Sequence, residues 1–270
     1  TIHQLLTHTA GIPNFTNRPD FFSSVGRQEF STRDFVLKYC TDSLVSKPGT
    51  KFNYSNTGYY ILGAIIEEIT HKTFGEVLKE QILDKAGMIN SGVDVPGNII
   101  ADRASGYEQP YGVWQNTRFI NTASTIGAAG NMYSTVEDLH RWDRALYSNK
   151  LLSEENKKIL FTPALDDYAY GVGVVKIRIG NEKDSVTLMA HTGGINGFRA
   201  KILRIIDTEE VIIALSNTSD DFSTADISAI TLNVLLLLHN QPYPQPATHI
   251  VTETGKRILT GSVDEAISFY

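Results

Sequence analysis

Two short segments of the 270-residue sequence carry side chains that could act on a substrate. The first is Tyr54-Ser55-Asn56, within KPGTKFNYSNTGYYILGAIIEEI (residues 47–69). A phenol can carry a proton, and a carboxamide both donates and accepts hydrogen bonds, which suits a substrate amide. Extended residues two apart face the same side, so Tyr54 and Asn56 could project together. The competing reading of the same residues is an Asn helix cap beside a packed Tyr. The second segment is His191-Thr192-Gly193-Gly194, within TLMAHTGGINGFRAKI (residues 187–202). A hairpin would place Gly-Gly and Asn-Gly here because both tolerate positive φ, and His191 would then be a strand-end residue and nothing more.

The elements that must position these residues divide the chain. Lys47-Pro48-Gly49 reads as a turn, residues 52–54 as extended, and a helix begins near Asn56 or Thr57. Around it the first half is helical. Thr1 caps a helix with Gln4 as its capping-box partner and Gly11 as terminator; Ser31 or Thr32 opens another; Ile61, Leu62, Ile65, Ile66 and Ile69 form an apolar face; Thr73 and Glu76 cap the next; and Ser134 with Glu137 caps one bearing Leu139, Trp142 and Leu146. Residues 87–130 show no sustained period and read as loop with short pieces of structure. The second half is β-rich: YGVGVVKIRIG, SVTLMAH, GFRAKILRII and VIIALSN, separated by NEKD, TGGIN and DTEE, have the spacing of an antiparallel meander. A helix over 223–239, with Ile227, Ile230, Leu235 and Leu238, is apolar enough to cover one face of that sheet. The expected fold class is α+β, an antiparallel sheet flanked by helices with a mostly helical lobe. Expected boundaries are 1–149 for that lobe, 150–245 for the sheet and its helix, and 246–270 for a linker and the start of a further extension.

Composition narrows the function classes. A net charge of -6 and a pI near 5.6, with scattered Lys and Arg, argue against a nucleic-acid partner. The longest aliphatic run, residues 234–238, is far below the roughly 20 residues of a membrane span. The one cysteine, Cys40, excludes an internal disulfide and reads as core filler. The seven histidines form no His-x-x-x-His pair, and His71, His140 and His239 read as surface or capping residues, so no metal site is expected. No cofactor is implied.

The ordered set HQLLTHTAGI, PGTKFNYSNTGYYILGAIIE, GAAGNMYSTVEDLHRW, YGVGV, HTGGINGF and VIIALSN resembles the serine beta-lactamase-like family, which includes class C beta-lactamases, DD-peptidases and related esterases. The resemblance covers roughly residues 1–240. Its Tyr-x-Asn motif matches Tyr54-Ser55-Asn56, and its Lys/His-Thr-Gly motif matches His191-Thr192-Gly193; His8-Thr9-Ala10-Gly11 looks like a second copy but reads as a helix end with Gly as C-cap. The resemblance implies Tyr54 as proton relay, Asn56, His191, Thr192 and Gly193 at the substrate, and the Gly194 N–H as half of an oxyanion hole, where a glycine admits the main chain close to the intermediate. The family's acylated serine and its lysine, Ser-x-x-Lys, occur nowhere in these residues. Ser24-Val25-Gly26-Arg27 imitates them, but in the wrong order along the chain and with an arginine that cannot accept a proton.

The chain is therefore expected to lack the family's N-terminal strands and its nucleophile, to be longer in nature on both sides, and to be inactive alone. The implied function of the complete form is hydrolysis through an acyl-enzyme of a small-molecule or peptide substrate, whether beta-lactam, D-alanyl peptide or ester, in the bacterial envelope or outside the cell. The alternative is a non-catalytic homologue that binds peptidoglycan-like peptides or a protein partner. Histidine in place of the lysine common in beta-lactamases leaves less fixed positive charge, and favours peptidase or esterase activity over efficient beta-lactam hydrolysis.

Overall fold

The computed structural model describes residues 1–109, 113–219 and 226–244. The expected extension at 246–270 lies outside them. Two compact units emerge, and neither is continuous in sequence: Thr1–Ile100 with Phe119–Val175, and Ala101–Arg118 with the chain from Lys176 onward. This division differs from the consecutive one expected at residue 149, because residues 101–118 group with the sheet and residues 150–175 with the helices.

The first unit holds helices α1 (Ile2–Leu6), α2 (Thr32–Tyr39), α3 (Asn56–Thr70), α4 (Phe74–Leu78) and α5 (Asp84–Ala86). After them come strand β1 (Gly92–Val93), helix α6 (Thr122–Thr125), strand β4 (Met132–Tyr133, antiparallel to β1), and helices α7 (Val136–Leu146) and α8 (Glu154–Leu160). Local sequence explains the starts. Thr1 with Gln4 and Thr73 with Glu76 each form a complete capping box, worth about 1 kcal/mol per cap. Helix α1 stops at Leu6, so Gly11 is not its terminator. Instead Gly11 adopts φ +74, and a Cβ there would lie 2.2 Å from the Ser46 carbonyl oxygen, a close approach that only glycine permits. Thr135, not Ser134, caps α7; the Ser134 hydroxyl is engaged with that of Ser91 at 2.7 Å.

Aromatic rings dominate one core of this unit. Phe35 stacks on Tyr60 at 4.5 Å between centroids, Phe15 meets both Phe21 and Phe35 edge-on or tilted, and each such pair adds about 0.5–1.5 kcal/mol beyond area burial. Cys40 is buried, and desolvation followed by the nearby Asp42 charge pushes its thiol up to about 12, so it packs as a hydrophobe. A second core joins Leu78, Leu83 and Met88 to Leu139 and Trp142 of α7. Asp138, fully buried on α7, ties these elements together by accepting from the Asn90 N–H at 2.7 Å and the Ser91 hydroxyl at 2.8 Å while pairing with Arg141.

The second unit contains the short hairpin β2 (Tyr107–Glu108) and β3 (Gln115–Asn116), then β5 (Gly173–Arg178, which begins in the first unit), β6 (Ser185–Ile195), β7 (Phe198–Ile205), β8 (Glu210–Ser216) and helix α9 (Ile227–Leu238). The sheet order β5-β6-β7-β8 is that of the expected meander. The β6–β7 turn is shorter than expected: the ladder runs to Ile195↔Phe198, leaving only Asn196-Gly197 as the turn. Gly197, at φ +75, lies where a Cβ would come within 2.8 Å of Gly106 backbone atoms. Leu203 and Ile205 of β7 meet Ile179 and Leu235, so α9 covers one sheet face as expected. The buried stripe of α9 runs through Thr231 and Leu235, one turn apart, whereas Ile230 and Leu238 are 46% and 60% exposed.

Candidate active site

The sequence-identified residues divide between the units: Tyr54 and Asn56 lie in the first, His191, Thr192, Gly193 and Gly194 in the second.

In the first unit the residues before α3 are extended, and Ser55 is the α3 N-cap at φ -147, ψ 113, its side chain making no capping bond. Asn56 is thus the first helical residue and not the cap. Period-two geometry then places Tyr54 and Asn56 together, and the Tyr54 hydroxyl donates to Asn56 Oδ1 at 3.4 Å. The Asn56 amide nitrogen donates to Thr16 Oγ1 at 3.2 Å, which fixes the orientation of the carboxamide. Tyr54 is 40% exposed, and burial of the rest of the ring pushes its phenol above the ordinary value. Phenols behind it, Tyr59 and Tyr168, are also raised by desolvation first and then by neighbouring phenols. The environment therefore keeps Tyr54 protonated at neutral pH.

What holds this loop is the segment 8–16, whose HTAG looked in sequence like a helix end. Ser55 N–H donates to His8 Nδ1 at 3.1 Å, Asn53 N–H to the His8 carbonyl at 2.8 Å, and Asn56 N–H to Asn14 Oδ1 at 3.2 Å. Thr57, fully buried, donates to the Pro13 carbonyl at 2.7 Å and accepts from the Phe15 N–H at 3.0 Å. His8, Asn14, Thr16 and Thr57 are the supporting residues that sequence reasoning missed. Their partners lie some 40 positions away, and no local pattern announces such pairing.

In the second unit, His191, Thr192, Gly193 and Gly194 are inside β6 and not in a turn, paired with Ile202, Lys201, Ala200 and Arg199. Neither Gly193 nor Gly194 has positive φ, so the hairpin explanation for the two glycines does not hold. Both are exposed, as is Thr192. By strand alternation Thr192 and Gly194 face the side of Arg199 and Lys201, while His191 and Gly193 face the other. The Arg199 guanidinium lies over Gly194, its Nη1 3.2 Å from where a Cβ would be. Burial, and then the positive charge of Lys201, hold the His191 imidazole below its ordinary range, so the ring is neutral at neutral pH. Among the described residues no cluster of three His, Cys, Asp or Glu side chains is arranged to hold a metal ion, and no helix is long and apolar enough to cross a membrane.

An α+β unit pair with Tyr-x-Asn entering a helix and His-Thr-Gly on a sheet strand defines the beta-lactamase/transpeptidase-like class. The beta-lactamase family model matches residues 1–234, and the chain belongs to that family. It is 27% identical over 265 residues to penicillin-binding protein 4* of Bacillus subtilis (strain 168), covering 91% of this chain and 57% of that protein. A penicillin binding protein from Bacillus halodurans is similar in structure, with TM-score 0.68, 26% identity and coverage of 81% and 69% of the two chains. D-amino acid amidase from Ochrobactrum anthropi SV3, at 23% identity, TM-score 0.71 and coverage of 88% and 71%, shares the fold. The chain spans about half the length of the curated relatives it matches.

Proposed function

We propose that these residues are part of a penicillin-recognising serine hydrolase that works through an acyl-enzyme, its nucleophile supplied by a Ser-x-x-Lys motif outside them. The observation that carries this reading is the Tyr54 hydroxyl on the Asn56 carboxamide, both presented by one extended-to-helix junction. In the acylation step the serine oxygen bonds to the substrate's acyl carbon and its proton passes by way of Tyr54 to the leaving group. The tetrahedral oxyanion accepts from the Gly194 N–H, the carbonyl reforms, and the amine or alcohol departs protonated. A water then cleaves the ester by the same route reversed. Asn56 of the first unit and Thr192 of the second act as hydrogen-bonding ligands of the substrate, and His191 and Gly193 complete the motif from the other side of β6. Tyr54, held neutral here, needs the lysine of the missing motif to lower its pKa before it can accept a proton.

The substrate class follows from charge. With His191 neutral, this position attracts a carboxylate less than a lysine would, which supports neutral esters and amides ahead of carboxylate-bearing beta-lactams. The bacterial envelope or the space outside it is where such substrates occur. The test is intact-mass measurement after exposure to a penicillin and to an activated ester. A stable one-to-one acyl adduct on the complete protein is expected; no adduct with either reagent favours the alternative, a non-catalytic homologue that binds peptidoglycan-like peptides or a protein partner.

A further inference from the structure

We propose that His8, neutral and protonated on Nε2, is the positioning residue of the Tyr54-Ser55-Asn56 junction. The inference rests on the reading of Tyr54 as proton relay, but its geometry stands apart from that reading. His8 is 3% exposed and adopts φ +54, a region that L side chains rarely occupy and that persists only where the surroundings enforce it. Its ring is enclosed by Tyr54, Tyr168, Tyr59 and Phe52, with centroid distances of 4.2, 4.9, 5.1 and 6.0 Å. From inside that enclosure Nδ1 accepts the Ser55 N–H, and the His8 carbonyl accepts the Asn53 N–H. One residue thus fixes the backbone on both sides of Tyr54 and also forms the surface against which the phenol ring rests.

An acceptor Nδ1 needs its lone pair, which places the ring's single proton on Nε2. A second proton would set Nδ1–H against Ser55 N–H, removing the bond and opposing two donors. The phenols of Tyr54, Tyr59 and Tyr168 pack on the ring, each raised by burial first and protonated at neutral pH. Protonation of His8 therefore releases the junction, and with it the alignment of Tyr54 and Asn56.

Two measurements test this. On the chain itself, nitrogen-15 shifts of the His8 ring should show Nδ1 unprotonated, and the Ser55 amide should move on acidification in step with the ring's second protonation. A proton on Nδ1 at neutral pH, or a Ser55 amide indifferent to the ring's titration, would overturn the proposal whatever the protein catalyses. On the complete protein, His8→Phe keeps a ring but no acceptor, while His8→Asn keeps an acceptor oxygen and tolerates positive φ but loses the ring. Misplacement of a reacting group costs on the order of 100-fold, so His8→Phe should lose about that much in the acylation rate and, through Asn56, weaken substrate binding as well. His8→Asn should recover part of it and shed the wild-type's acid limb. Equal rates and the same acid limb in all three proteins would show that His8 only packs. If the complete protein forms no acyl-enzyme at all, the catalytic reading fails and the nitrogen-15 experiment alone decides the role of His8.

Discussion

At the scale of single residues the account turns on one hydroxyl. Tyr54→Phe removes it while leaving the ring on His8, so the complete protein should lose about 100- to 10,000-fold in acylation, the range that general acid–base groups contribute, with thermal stability little changed. In the chain alone, ultraviolet titration of Tyr54 should give a pKa above the ordinary value of about 10, since burial raises it; a value below that would mean that a cation already reaches the phenol. His191 and Arg199 offer a second contrast. His191→Lys should raise kcat/KM for carboxylate-bearing donors relative to neutral ones, because it replaces a ring held neutral by a fixed charge. If that ratio stays put and Arg199→Gln lowers it instead, the cation that matters is the guanidinium over Gly194.

Among the elements, the loop after α1 and the α9 terminus yield separate tests of stability. Gly11→Ala would drive a methyl into the Ser46 carbonyl at φ +74, and a loss of about 2–4 kcal/mol is expected in denaturant unfolding, more than an ordinary Gly→Ala change. At the end of α9, His239 Nδ1 lies 2.9 Å from Glu182 and Nε2 3.1 Å from Glu210, so both nitrogens can donate only as imidazolium. Burial by itself lowers its pKa, but the hydrogen bonds and charges of the two glutamates outweigh it and the net shift is upward. A folded-state pKa above the unfolded one contributes stability that is full below the unfolded value, about 6.5, and is lost as pH rises through the folded value. His191, shifted downward, acts oppositely: its contribution is present above about 6.5 and is lost as pH falls toward its folded value. His239→Gln should therefore flatten the alkaline side of the stability profile and His191→Gln the acid side, as read from Tm against pH.

These elements also show what a sequence discloses and what it hides. Both capping boxes were legible because every partner lies within four residues. The choice between Ser134 and Thr135 was not, since two adjacent hydroxyls both suit an N-cap and the Ser91 contact that decides comes from 43 positions away. Helix α9 was legible as a helix, but its buried stripe was not, because a segment apolar on all sides has no periodicity to read. Residues 192–195 looked like a turn on composition; pairing with β7 made them strand. In the site, Tyr54 and Asn56 share one side as their spacing implied, whereas His8 was read as a helix end because its two tasks, at Asn53 and Ser55, appear only after the chain has folded back.

For the molecule as a whole, the match over residues 1–234 establishes family membership, and the proposed activity adds to it a nucleophile from a Ser-x-x-Lys motif outside these 270 residues. The most direct measurement of the central claim is the intact mass of three samples after a penicillin or an activated ester: this chain, the complete protein, and the complete protein carrying Tyr54→Phe. The account predicts no adduct on the chain, one acyl group on the complete protein at the serine of a Ser-x-x-Lys motif, and a much slower gain in the Tyr54→Phe variant. An acyl group on the 270-residue chain, or equal acylation rates with and without the Tyr54 hydroxyl, would contradict it.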